Sequence, residues 1–140
     1  MPVSSRSVFT ALGLFLPVGA HLADYNATHI FNPRWTPHAK FHGGQTLMFS
    51  LMLGAATMLL AWWRTTDRRL LVLATSIVCA SYWTSQGLAI SYPGTAFFDV
   101  DTHAIRVFGV PIQLVLETLV LALTGLAAWL ALRPSARWAA

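Results

Sequence analysis

Apolar residues fill this chain in four long stretches separated by short polar ones, and the stretches are too long and too uniformly apolar to read as alternating strands. They predict helices over about 7–25, 37–63, 70–91 and 107–132, with longer connections over about 26–36 and 92–106. At a rise of ~1.5 Å per residue, each run can cross a bilayer core of ~30 Å. The first does so if its helix reaches Asp24. The second has a marked start, because Thr36 suits an N-cap and Pro37 falls at the first helical position, where its missing N–H costs nothing. Trp62 and Trp63 close that run as an interfacial belt. A signal peptide would also fit the beginning of the chain, with the cut after Ala20. Cleavage there would discard the helix that carries His21 and Asp24 to the membrane surface, so a retained helix is expected.

Composition supports the membrane reading. Of 140 residues, 56% are hydrophobic and 10% charged, and the mean hydropathy is +0.58; soluble chains have roughly a quarter of their residues charged. The expected fold is all-α, an integral membrane four-helix up-down bundle making one domain over 1–140. Arg6, Arg64, Arg68, Arg69, Arg133 and Arg137 fall on one side of it, against Arg34, Lys40 and Arg106 on the other, which places both termini in the cytoplasm. Almost all the basic residues are Arg, as in GC-rich bacterial genomes, so the bacterial inner membrane is the expected location. The formal charge of +4 lies beside apolar runs as a topology signal, and no nucleic-acid partner is expected. Cys79 is the single cysteine, too few for a disulfide framework or a thiolate metal cluster in one chain. No heptad seam, internal repeat, soluble domain or nucleotide-binding glycine motif appears.

What changes the picture is the connector at 21–45, which reads H-L-A-D-Y-N-A-T-H-I-F-N-P-R-W-T-P-H-A-K-F-H-G-G-Q and holds four of the five histidines. In the topology above, His21, Asp24, His38, His42, Gln45, Gln86 and Gln113 fall in the outer half of the membrane, with Glu117 near its middle. A charge in a bilayer costs at least ~2.5–3.5 kcal/mol, so Glu117 must face the bundle interior, hold a proton or find a partner. The expectation is a polar cavity open to the periplasm and closed beneath by apolar helix. Two chemistries fit it. His38 and His42, at i and i+4 on one helix face, can chelate iron, zinc, copper or manganese, with His21 and Asp24 as the remaining ligands and His29, Asp99, Asp101 and His103 as further candidates. Without a metal, Glu117 is a buried acid, His38 or His42 the base, and Asp24 a histidine orienter. In either case Gln45, Gln86, Gln113 and Trp35 would position a lipophilic small molecule arriving from the bilayer. The reaction would be metal-assisted oxidation or hydrolysis, or acid–base isomerisation or cyclisation. The alternative is a non-catalytic accessory or scaffold subunit of a larger membrane complex, and a bundle this small also suits a homodimer. Residue by residue the plain reading is strong: a histidine at a helix end is usually structural, and Asp101 suits an N-cap. It accounts poorly for Glu117 and three glutamines placed together beneath a histidine cluster.

The string N-P-x-W-x-P-H-A-x-F-H, preceded by D-x-N-x-T-H, resembles the signature of a group of small uncharacterised four-helix membrane proteins of bacteria and fungi. The resemblance covers Ala20 to about Gln45 in detail and the other helices in hydropathy. At the level of architecture the chain also looks like the emopamil-binding-like membrane isomerases, which implies acid and histidine groups in a lipid-accessible cavity.

Overall fold

A computed structural model describes residues 1–98 and 104–133. The helices are α1 (Val3–Asp24), α2 (Pro37–Trp62), α3 (Arg68–Leu88) and α4 (Ile112–Leu132). A single 3-10 turn, Ala89–Ser91, extends α3, and a two-stranded hairpin, β1 (Arg106–Val107) and β2 (Val110–Pro111), precedes α4. By length and composition α1, α2 and α4 can each cross a membrane. Helix α3 is as long as α4 but carries Arg68, Arg69 and five scattered Ser and Thr residues. Asp99, Asp101 and His103, among the candidate ligands, lie outside the described residues, as does Arg137.

The helix starts follow local chemistry. Thr36 Oγ1 accepts from the Ala39 amide at 3.2 Å, with Pro37 at the first position. Asp67 Oδ1 does the same for Leu70 at 2.9 Å, satisfying donors that the first turn of a helix leaves unpaired. Helix α4 begins at Ile112, later than the 107 expected, because Phe108 and Gly109 both take positive φ, 50° and 81°, and turn the chain into the hairpin that pairs Val107 with Val110.

Each helix turns a narrow stripe inward. On α2 it is Leu47, Ser50, Gly54, Thr57 and Ala61, and on α4 Glu117, Val120, Thr124, Ala127 and Ala131. This spacing of three and four residues is a packing seam, built here from small and hydroxylated side chains. The buried hydroxyls of Ser50, Thr57 and Thr75 donate to carbonyls three or four residues back, so burial leaves their protons satisfied. The outward faces are the more apolar: Leu14, Val18, Leu22, Met52, Leu59 and Ile77 are all more than half exposed.

α1 and α2 meet most closely at Gly13 and Gly54. A Cβ on Gly13 would lie 2.9 Å from the Gly54 carbonyl oxygen, and one on Gly54 would collide with the Gly13 carbonyl. Pro17, one turn on, cannot donate to that carbonyl and packs its ring on Gly54. The freed oxygen faces Gly54, where the lack of a side chain leaves the room that lets helices approach in lipid. At one end of the pair the Trp62 indole donates to Thr10 Oγ1 at 2.9 Å, and the Arg6 guanidinium covers the same ring at 5.3 Å. Burial, then Arg6 and Arg68 beside it, push the Met1 amino group below its usual range. At the other end lie the connector 25–36, the C-terminal ends of α1 and α3, and the hairpin before α4.

Candidate functional site

That second end holds a cavity of about 760 Å³, lined by Asp24 of α1, Thr28 and His29 of the connector, Gln86 of α3, Phe97 and Phe98 of the segment that follows α3, and Gln113 of α4, among others. Its size suits a small organic molecule, and its walls mix aromatic and aliphatic surface with a few polar groups.

The connector places His29 through a chain of hydrogen bonds that begins on α1. Asn26 Nδ2 donates to the Ala23 carbonyl at 2.6 Å, which turns Asn26 Oδ1 toward Thr28. That oxygen accepts from both the amide and the hydroxyl of Thr28, at 2.8 and 2.6 Å. A hydroxyl has one proton, so Thr28 Oγ1 is an acceptor toward His29 Nδ1, 2.8 Å away. Nδ1 therefore carries its hydrogen, and the ring's lone pair is on Nε2. That nitrogen stands 3.6 Å from Asp24 Oδ1. The loop is closed behind it by the Ile30 amide on the Asp24 carbonyl and by buried Asn32, which donates to the Thr28 carbonyl at 3.0 Å. Trp35 meets the His29 ring edge to face at 5.3 Å and is itself seated on Gly43 of α2, where a Cβ would come within 3.0 Å of the indole.

Glu117 lies one turn further into the bundle than Gln113 on α4. It is 4% exposed, and its Oε2 presses on Gly87 of α3, where a Cβ would lie 2.7 Å away. Gln113 donates to the Phe97 carbonyl at 3.0 Å, which ties the segment just after α3 to α4. Gln113 Oε1 and Glu117 Oε1 are both buried and meet no donor among the described residues. Two buried acceptors a turn apart can share a proton or receive a donor from a bound molecule.

The other expected residues stand elsewhere. His38, His42 and Gln45 form a cluster on the exposed face of α2, with the two Nε2 atoms 3.1 Å apart, and none of the three lines the cavity. His21 donates from Nδ1 to the Pro17 carbonyl at 2.8 Å and lines a separate apolar groove with Tyr25 and Leu51. Among the described residues, no three His, Cys, Asp or Glu side chains come together as a metal-ligand set. Asn26, Thr28, Gly43 and Gly87 carry the site without having been singled out for it. Only the D-x-N-x-T-H string hinted at the first two.

No curated protein and no solved structure matches the chain. Residues 9–137, which include the connector, the cavity and α2 to α4, match the profile of a family of unknown function, DUF6640, and the chain belongs to that family.

Proposed function

We propose that this protein is a small integral membrane enzyme that moves protons on a lipophilic small molecule held in the cavity, an isomerase or cyclase. The observation that carries the reading is the Asp24–His29 pair on the cavity wall, with the His29 tautomer fixed by Thr28 and Asn26. His29 Nε2 accepts a proton from a substrate carbon, and the Asp24 carboxylate stabilises the imidazolium while it lasts. The imidazolium exchanges its proton with water at the cavity mouth and delivers a proton to a neighbouring carbon, so a double bond moves, solvent hydrogen enters the product and the enzyme ends as it began. Gln86 and Gln113 position the polar end of the substrate, and Glu117 is a buried acid below them.

The bundle is read as four spans running up and down. Arg6, Arg64, Arg68, Arg69 and Arg133 face the cytoplasm, and the cavity opens to the periplasm of a bacterial inner membrane.

The test is solvent exchange. Detergent-purified protein is incubated in D2O with a lipid extract of its host, and the lipids are analysed by mass spectrometry. One lipid species should gain deuterium. His29→Ala and Asp24→Asn should slow that gain by roughly 100-fold or more, while His38→Ala and His42→Ala leave it within about twofold of the original. Full exchange in His29→Ala would overturn the proposal.

A further inference from the structure

The cluster at the start of α2 is separate from the cavity and has its own geometry. His38 Nε2 and His42 Nε2 share one hydrogen across 3.1 Å, which a bound ion replaces as His38 moves its proton to Nδ1. Two imidazole nitrogens bound to one ion at ~2.0–2.1 Å, with an angle between 90° and the tetrahedral value, stand about 2.9–3.4 Å apart. The two rings are thus already at ligand spacing with no change of rotamer. Both are braced by Phe41, which stacks on His38 with centroids 6.1 Å apart and meets His42 edge to face at 5.5 Å.

Gln45 supplies the outer contact. Its Oε1 lies 3.1 Å from His42 Nδ1, and an amide oxygen only accepts, so Nδ1 bears the hydrogen and Nε2 presents its lone pair. Ligating histidines ordinarily have such a partner on the second nitrogen, which fixes the tautomer.

The position also suits an ion arriving from water. α2 has 26 residues, ~39 Å at ~1.5 Å per residue, against a hydrocarbon core of ~30 Å. Trp62 and Trp63 mark one interface, so the surplus turn and a half, which includes His38 and His42, projects past the other. Both histidines are exposed. Lys40 is offset by about 160° around the helix from either histidine, so its charge leaves from the opposite face.

We infer that His38 and His42 form a chelating site for one divalent late first-row metal ion at the membrane surface, copper(II) most tightly, then nickel(II) or zinc(II), with Gln45 orienting His42 and water completing the coordination. The site neither shares a residue with the cavity nor depends on the acid–base reading.

The test uses the full-length protein in detergent micelles, purified without a polyhistidine tag, and titrated with copper(II), nickel(II) and zinc(II) chlorides by calorimetry. Copper(II) samples are also followed by electron paramagnetic resonance. One ion per chain is expected, with hyperfine structure from two imidazole nitrogens. His38→Ala and His42→Ala should each weaken binding about 100-fold and reduce the signal to one nitrogen. Gln45→Leu should weaken binding ~10-fold or more, and His29→Ala should leave it unchanged. All three cluster residues are exposed, and circular dichroism without metal checks that each variant folds. Binding that survives the His38→Ala/His42→Ala double variant, or equal binding by Gln45→Leu and the original chain, would overturn the assignment and leave an adventitious ion only.

Discussion

Asn26 and Thr28 decide which nitrogen of His29 is free, although neither touches the substrate in the proposed reaction. Removing the Asn26 amide frees the Thr28 hydroxyl to donate to Nδ1 instead, which moves the imidazole hydrogen to Nε2 and takes away the base. Asn26→Ala should therefore slow deuterium exchange roughly tenfold or more, equivalent to ~1.4 kcal/mol in the barrier. Nitrogen-15 shifts of His29 should report the changed tautomer, and an unchanged tautomer would refute the relay. Gly87 makes room for Glu117 in the same quiet way. Gly87→Ala sets a methyl 2.7 Å from Oε2 and should cost about 1–3 kcal/mol in an SDS unfolding titration, as overpacking does. The sequence pointed to this end of the molecule, but it ranked His38 and His42 above His29. Helical spacing says which side chains share a face. Where a loop histidine points depends on how the loop closes, and that closure is made by Asn26, Thr28, Asn32 and Trp35 acting across three elements.

Among the elements, α2 was the most legible, because its start is local chemistry: Thr36 accepts from Ala39 and Pro37 needs no partner. Thr36→Ala should cost ~1 kcal/mol, read in the same titration. The packing seam was not legible. Hydropathy finds a buried face by contrast with water, and here the outward Leu14, Val18 and Leu22 are more apolar than the inward Ser5, Gly13, Ser50, Gly54 and Thr57. Small residues mark the inside, and in a sequence with this much Ala that mark is faint. The closest crossing gives the sharpest prediction: Gly54→Val must push the Gly13 carbonyl and Pro17 away and should destabilise the α1–α2 pair by more than Thr36→Ala does. Equal losses would show that the crossing is loose. The hairpin before α4 escaped notice because Phe108 continues an apolar run in composition while its positive φ ends any helix there.

At the scale of the molecule, orientation can be measured with the chain nearly as it stands, since buried Cys79 should stay silent toward thiol reagents. Ala27→Cys should react with a membrane-impermeant maleimide in intact spheroplasts, and Thr66→Cys only after lysis; the reverse pattern would invert the topology proposed for the bundle. The seam of glycine, serine and threonine has a further thermodynamic consequence. Soluble proteins owe the arch in their stability curve to the heat capacity of water around newly exposed apolar groups. When these helices part within a bilayer, their small inner faces meet lipid rather than water, so that contribution nearly vanishes. Helix separation in bicelles should follow a nearly straight line against temperature between 5 and 45 °C, roughly, with no cold limb.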